Sequence, residues 1–277
     1  MVASLSSAQV AQYHRDGYLS PCDAMSAEQA AQLRHRLESG EQSAGGLSHD
    51  RRRKMHLYLR WVNDLVRQPT ILDAVESLIG PDILLYHITL WIKEPRTDAF
   101  ISWHQDSTYF GLDPDDQHVT AWVALSVSDL ESGCVQVVPG SHRQGQVRHD
   151  VGDRERNMLK TGQSLDVPDD ADIRTMILRP GQFSLHHTHL LHNSMPNRSS
   201  DRRIGLGVSY IPTRCRGTSA QRLSATLVRG VDRYGHFDLE TTPEHDFEPA
   251  ALERHAAAMA DWHRAREELI ARAHEPA

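Results

Sequence analysis

Val119-Thr120-Ala121-Trp122-Val123-Ala124-Leu125 alternates without a break, with Val119, Ala121, Val123 and Leu125 on one face and Thr120, Trp122 and Ala124 on the other. Successive strand side chains point to opposite faces, so a period of two identifies a strand. Outward from it, Ile83 to Lys93 (ILLYHITLWIK) is β-branched and aromatic, and residues 135–138, 174–178, 183–186 and 203–211 read as further strands. Short strands separated by Gly, Pro and Asp turns predict a β-sandwich or barrel.

Toward the N-terminus the period becomes helical. Ser6 with Gln9 and Ser26 with Gln29 have capping-box spacing, and Ala30, Leu33 and Leu37 form one face of a helix that Gly40 is expected to end. Residues 41–54 (EQSAGGLSHDRRRK) predict a polar loop whose cations are solvated, with a grip on an anionic substrate as the other reading. Helices are expected over 57–67 and from Pro69 to Ile79, stopped by Gly80-Pro81. The polar stretch 143–172 lacks a period and predicts a loop covering a site. Beyond Pro212 an irregular arm is expected, and then a C-terminal helix whose stripe of Leu252, Met259, Trp262, Leu269 and Ile270 reads as packing surface. The expected organisation is one domain over 1–277, with a helical part to residue 80, a β core over 81–212 and an arm and helix over 213–277.

Thirty Lys and Arg against 37 Asp and Glu leave a formal charge of −7, and the only basic run is Arg51-Arg52-Arg53-Lys54. That balance lacks the electrostatic footprint of a nucleic-acid partner. The mean hydropathy is −0.52, and no apolar run approaches the roughly 20 residues of a membrane helix. The N-terminal sequence carries no basic region ahead of an apolar stretch, so no secretory signal is expected. Cys22, Cys134 and Cys215 are odd in number and far apart, which argues against a disulfide framework or thiolate metal site and for a reducing cytoplasm. Oligomeric state is left open, a homo-oligomer included. The compositional anomaly is 18 histidines.

In Trp103-His104-Gln105-Asp106 a His and an Asp stand two apart, so on a strand both side chains point the same way and can share an ion. Alone this is weak evidence. Eighty-six residues after Asp106, however, the run Ser184-Leu185-His186-His187-Thr188-His189-Leu190-Leu191-His192 ends. Two histidines and one carboxylate on a β scaffold make the facial triad of non-haem Fe(II) oxygenases, and the residual positive charge suits an anionic 2-oxo acid. The strand beginning at Arg203 supplies a further check. Ile204, Leu206, Val208 and Tyr210 form an apolar face, while Arg203, Gly205, Gly207 and Ser209 set an arginine beside nearly bare backbone, the pattern of a strand lining a ligand cavity. A guanidinium there can take a carboxylate in bidentate fashion.

WHQD at 103–106, CVQVVPGSHR at 134–143, PGQFSLHHTHLLHNSMPNRSSDRR at 180–203 and YHRDGYL at 13–19 together resemble the phytanoyl-CoA dioxygenase family. The resemblance runs from about residue 7 to 212. It implies a double-stranded β-helix with flanking helices, and an Fe(II)- and 2-oxoglutarate-dependent reaction with O₂ that yields succinate, CO₂ and a hydroxylated small molecule. It implies His104, Asp106 and His192 as metal ligands, His192 being preferred because Arg203 lies eleven residues beyond it, the family's spacing. It further implies Arg203 and Ser194 as holders of the distal carboxylate of 2-oxoglutarate, and Trp122 and Gln105 at the co-substrate pocket. Related halogenases replace the carboxylate ligand with a small residue, so Asp106 implies hydroxylation. The likeness is nearer to bacterial small-molecule hydroxylases than to the acyl-CoA enzyme, and Arg51 to Lys54, Lys93 and the 143–172 loop keep organophosphonates among the substrates in view. His186, His187 and His189 are expected beside the site, His142 in a structural turn, and Cys134 as a small buried hydrophobe. Two other classes compete: a cupin-like Zn or Mn isomerase or hydrolase, which needs the triad but not Arg203 or Ser194, and a non-catalytic jelly-roll binding protein.

Overall fold

In the computed structural model, which describes residues 4–153 and 155–273, both capping boxes form. Ser6 and Ser26 accept the backbone N–H of Gln9 and Gln29 at 3.3 and 3.1 Å, opening the helices Ser7–Asp16 and Ala27–Ser43. Seven strands make the major sheet, in the spatial order Tyr18–Asp23, Gln182–His187, Val119–Ala124, Arg203–Pro212, Ile83–Lys93, Ser224–Arg229 and Asp238–Leu239. Its neighbours pair antiparallel except the last two. Four antiparallel strands, Ile101–His104, His192–Ser194, Val135–Val137 and Arg174–Met176, make the minor sheet. The two oppose one another as a jelly-roll, the double-stranded β-helix.

Alternation decides which side chains go where. The odd residues 119–125 and the even residues 204–210 pack against the helices, including Leu37, Leu65, Ile71 and Val75. Trp122 and Ala124, with the opposite parity, meet Val135, Val137 and Met176 between the sheets. In the Ile83–Lys93 strand the parity changes partway. Ser209 pairs with His87 and Tyr210 with Leu85, leaving Tyr86 as the extra residue of a bulge. Ile83 and Leu85 face the helices before it and Ile88, Leu90 and Ile92 after it. His87, Thr89 and Trp91 are thereby turned into a cavity between the sheets. The C-terminal helix Pro249–Ala273 closes the far end, packing Met259, Trp262 and Ala265 on Leu84, Tyr86 and Phe237.

Several expectations are corrected. The second helix runs through Gly40 to Ser43; Gly40 does not end it and instead makes room for the Phe247 ring, 3.2 Å from where a Cβ would stand. The segment expected as one helix over 57–67 is a 3₁₀ turn, Met55–Leu57, and a short helix, Arg60–Leu65. Arg53 and Lys54 are not solvated: they are 8% and 2% exposed, Arg53 bridged to Thr89 and Lys54 paired with buried Glu240. The mainly helical N-terminal part contributes a strand, Tyr18–Asp23, and the arm beyond Pro212 contributes Ser224–Arg229, both joined to the major sheet. Strands at or next to the sheet's ends, such as these, take their place from backbone pairing, which leaves little mark on side-chain pattern. Among the described residues no helix is long and apolar enough to cross a membrane.

Candidate metal centre

His104 ends its strand, Asp106 opens the 3₁₀ turn that follows, and His192 lies opposite His104 in the register of the minor sheet. Pairing thus delivers what sequence separation conceals. One ligand atom from each of the three lies within 4.8 Å of the others. Asp106 Oδ1 is 3.7 Å from His104 Nε2 and 3.6 Å from His192 Nε2, and the two imidazole centroids are 4.0 Å apart.

Hydrogen bonds orient each donor. His104 Nδ1 donates to the Ser102 carbonyl at 2.8 Å and His192 Nδ1 to the Leu190 carbonyl at 2.9 Å, so in each ring Nε2 is the nitrogen left toward Asp106 Oδ1. Burial and then neighbouring His104 hold His192 well below the usual imidazole range, keeping it neutral. Burial opposes ionisation of Asp106, but His192, His104 and His186 outweigh it and hold the carboxyl well below the ordinary carboxylate range. The other carboxylate oxygen, Oδ2, accepts from Thr120 Oγ1 at 2.7 Å and from His186 Nε2 at 3.2 Å. His118 in turn lies 3.1 Å from Thr120 Oγ1 and 3.0 Å from Thr188 Oγ1. One carboxylate oxygen is fastened to the scaffold and the other is presented with two imidazole nitrogens, a donor set that fits a divalent ion with open positions.

Two cavities meet at this group, both lined by Trp91, His104 and Asp106. One extends past Thr120, Trp122, His186, His192 and Ser194 to Arg203. Arg203 is fully buried, its Nη2 3.2 Å from Ser194 Oγ, while its Nε and Nη1 have no hydrogen-bond partner among the described residues. Its guanidinium carbon sits 5.1 Å from the centre of the Trp122 ring. Burial pushes Arg203 down only to about 10, so it remains a cation. Beside it, buried Lys93 donates to Ser194 Oγ at 2.6 Å and to the Ser194 carbonyl at 2.8 Å. Burial, and then Arg203, push the Lys93 ammonium down to about 6. Unpaired N–H groups on a buried cation are costly, and an anion entering this cavity satisfies them.

The structure therefore brings together His104, Asp106, His192, Ser194, Arg203 and Trp122. Gln105 lies elsewhere, contrary to its expected place at the co-substrate pocket. Its amide donates to the carbonyls of Gly145 and His189 at 2.8 and 2.7 Å and accepts from Val147 N at 2.8 Å, anchoring the following loop from the outside of the site. His187 and His189 meet edge to face, with centroids 5.4 Å apart, and neither lines the cavities at the triad, while His142 reaches the His14 carbonyl in its turn. Cys134 is buried, and none of Cys22, Cys134 and Cys215 forms a disulfide. Sequence reasoning missed Thr120, His118 and the placement of Lys93. For Thr120 a signal existed, since it shares the cavity-facing parity of Trp122. The second cavity, walled by Arg53, His87, Phe110, Trp262 and Arg266 and reached by Leu159 and Gln163 of the long loop, was also missed.

Comparison with known proteins adds three findings. The family model for phytanoyl-CoA dioxygenase matches residues 13–205. The peroxisomal phytanoyl-CoA dioxygenase of Bos taurus is 29% identical over 181 residues, 62% of this chain and 54% of its own, and the 1-deoxypentalenic acid 11-beta-hydroxylase of Streptomyces exfoliatus is 27% identical over 177 residues, 61% of each. The chain thus spans about half the length of the mammalian relative. Among solved structures, the apo form of the non-heme monooxygenase ThoJ superposes with a TM-score of 0.84 at 31% identity, covering 95% of this chain and 99% of that one.

Proposed function

The chain belongs to the phytanoyl-CoA dioxygenase family, and from that premise we propose that it is an Fe(II)- and 2-oxoglutarate-dependent dioxygenase that hydroxylates an unactivated C–H bond of a small molecule, releasing succinate and CO₂. In this reading His104, Asp106 and His192 would hold the iron. Arg203 and Ser194 hold the far carboxylate of 2-oxoglutarate, and Trp122 walls the pocket. Bound iron, 2-oxoglutarate and O₂ supply the oxidising power for C–H cleavage.

The observation that carries the reading is Arg203, a buried cation with two unpartnered nitrogens at the end of the cavity that the triad lines. A cupin-like Zn or Mn enzyme needs the triad but has no use for that guanidinium, and a binding protein that uses its histidines for packing needs neither. The protein's own groups position rather than exchange protons. Thr120 and His186 hold Asp106 Oδ2 so that Oδ1 stays on the ligand side, and the Ser102 and Leu190 carbonyls fix the tautomers of His104 and His192. A carboxylate ligand leaves no vacancy of the kind a halide needs, which supports hydroxylation. Small-molecule substrates are in keeping with the named hydroxylase relative. The N-terminal segment and the C-terminal helix both wall the second cavity, which supports treating residues 1–277 as one oxygenase domain. The absence of disulfides supports a cytoplasmic location.

The test is anaerobic titration of metal-free protein with Fe(II) and 2-oxoglutarate, following the visible charge-transfer band of a chelated 2-oxo acid. The band is expected in the parent protein and lost in Asp106→Ala and Arg203→Ala. A folded parent protein without the band refutes the assignment.

A further inference from the structure

The second cavity shares Trp91, His104 and Asp106 with the first, and much of its polar lining is engaged inside the protein. Arg53 donates to the ring and the carbonyl of His49, the carbonyl at 3.1 Å. Arg266 Nη2 reaches Thr161 Oγ1 at 3.4 Å, and the same hydroxyl donates to Gln163 Oε1 at 2.9 Å. Asp106 belongs to the triad, its Oδ2 held by Thr120 and His186. His87 is the exception. It is 3% exposed, and among the described lining residues its Nδ1 is the only buried side-chain polar atom without a hydrogen-bond partner. The walls around it are rings. His87 stacks on Trp262 with centroids 4.1 Å and planes 21° apart, and Phe110 meets Trp262 at 5.8 Å and 66°. Trp91 and Leu159 complete the apolar lining, and with its mouth the space amounts to about 530 Å³, within the range of small-molecule sites.

We propose that this cavity is the substrate site and that it selects a neutral, flat ring compound carrying a hydroxyl group, the hydroxyl bonded to His87 Nδ1 and the rings lying against Trp91, Phe110 and Trp262 beside the triad. The assignment as substrate site rests on the oxygenase reading above; the binding of a hydroxylated aromatic does not. An unpaired polar atom in a buried cavity is unfavourable, and a ligand atom that pairs with it relieves the strain. Burial, and then nearby Lys54 and Arg53, hold His87 well below the usual imidazole range, so the ring is neutral, with one nitrogen a donor and the other an acceptor. A hydroxyl both donates and accepts, so it serves either tautomer, whereas a carbonyl serves only one. Aromatic walls meeting at a steep angle offer a flat ligand both stacked and edge contacts. A charged ligand instead meets guanidiniums that are already bonded, and loses its hydration against ring faces. His87 is thereby a specificity-determining residue, turned to the cavity by the bulge at Tyr86.

Calorimetric titration with 2-naphthol, naphthalene, decahydro-2-naphthol and 2-naphthoate tests the proposal, on both metal-free protein and protein loaded anaerobically with Fe(II) and 2-oxoglutarate. 2-Naphthol is expected to bind, with naphthalene about 5- to 100-fold weaker, the effect of leaving a buried polar atom unpaired. Decahydro-2-naphthol keeps the hydroxyl but not the flat rings and is expected to be about 2- to 10-fold weaker, the worth of an aromatic contact. The anionic 2-naphthoate is also expected to bind less tightly than 2-naphthol. His87→Phe keeps a ring on Trp262 and removes the nitrogen, so its 2-naphthol affinity should fall to that of naphthalene. Its Tm should stay near the parental value, since Nδ1 has no internal bond to lose. If that variant fails to fold, the four ligands on the parent protein decide alone. No binding of 2-naphthol, naphthalene or decahydro-2-naphthol bound as well as 2-naphthol, tighter binding of 2-naphthoate, or undiminished discrimination against naphthalene in folded His87→Phe would overturn the proposal. A parent protein that lacks the charge-transfer band yet binds 2-naphthol through His87 overturns the oxygenase reading and leaves the aromatic site standing.

Discussion

Gly205→Ala is the smallest change that should disable the co-substrate pocket. Gly205 pairs with Ala124 and Trp91 and has no unusual backbone angle; its bareness is needed for space. A Cβ there would stand 2.6 Å from Trp122 Cε2 and closer still to Cζ2 and Cη2, against ordinary contacts from 3.4 Å. The indole must therefore retreat by more than about 0.8 Å, in a site where it is 4% exposed and packed with Val135, Val137 and Met176. Overpacking of this kind costs about 1–3 kcal/mol, which lowers Tm by roughly 2–6 °C in a chain of this size. The same displacement pulls the ring from Arg203, 5.1 Å above it. Losing a desolvated cation–π contact of about 1–2 kcal/mol and the guanidinium's alignment should weaken 2-oxoglutarate by roughly 5- to 30-fold. Gly207→Ala is the control, because its nearest clash is Trp91 Nε1 at 3.1 Å and a shift of a few tenths of an ångström relieves it. Differential scanning calorimetry and anaerobic 2-oxoglutarate titration decide the matter. A Gly205→Ala protein with parental Tm and affinity, or a Gly207→Ala protein damaged as much, would refute the steric reasoning.

Three further outcomes are expected. Gln105→Ala strips the partners of Gly145, His189 and Val147 and should cost about 2–4 kcal/mol in urea denaturation, with faster proteolysis of the adjoining loop and an intact charge-transfer band; loss of the band would return Gln105 to the co-substrate pocket. Burial disfavours the Glu240 carboxylate, but Lys54 and His56, the latter at 2.9 Å, outweigh it and hold the group below its usual range. A carboxyl depressed below its unfolded value of about 4.3 stabilises the fold above that pH, and the stability is lost as pH falls toward the folded value. Glu240→Gln should therefore cost about 3–5 kcal/mol at neutral pH and flatten the acid limb of stability below about pH 4; parallel limbs for variant and parent would contradict this. Lys93, pushed down to about 6, is neutral at pH 8 until an anion arrives beside Arg203. Binding of 2-oxoglutarate should take up close to one proton at pH 8 and almost none at pH 5, measured calorimetrically in buffers of different ionisation enthalpy. Lys93→Met should abolish the uptake, and equal uptake in that variant would exclude Lys93 as its source.

Much of the site was open to sequence reading because its parts are local. His104 and Asp106 stand two apart on extended chain, and Arg203 shares one face of its strand with two glycines, so period-two geometry alone aligned them. Strand alternation likewise foretold which of residues 119–125 and 203–210 enter the helix-backed core. The choice of His192 among neighbouring histidines needed the family resemblance, because local pattern does not distinguish a ligand from His186, which bonds to the ligand Asp106. Gln105 was misjudged for a related reason: position between two ligands says nothing about facing, and on a strand the middle residue points the opposite way.

What the sequence by itself determined is the set of elements with their own periodicity: the capped helices, the alternating strands, the His-x-Asp pair and the arginine that opens the Arg203–Pro212 strand. What only the tertiary structure decided is every contact that joins distant segments. The bulge at Tyr86 reverses the parity of its strand and turns His87 and Trp91 into a cavity. A bridge to Thr89 makes a wall of Arg53, in a run whose charge pattern alone reads as solvated surface. Trp262 and Arg266 come to the same volume from the opposite end of the chain. The physical reason is that strand register and helix docking are fixed by backbone pairing and by burial of the whole core, neither of which is a property of the residues' immediate neighbours in sequence.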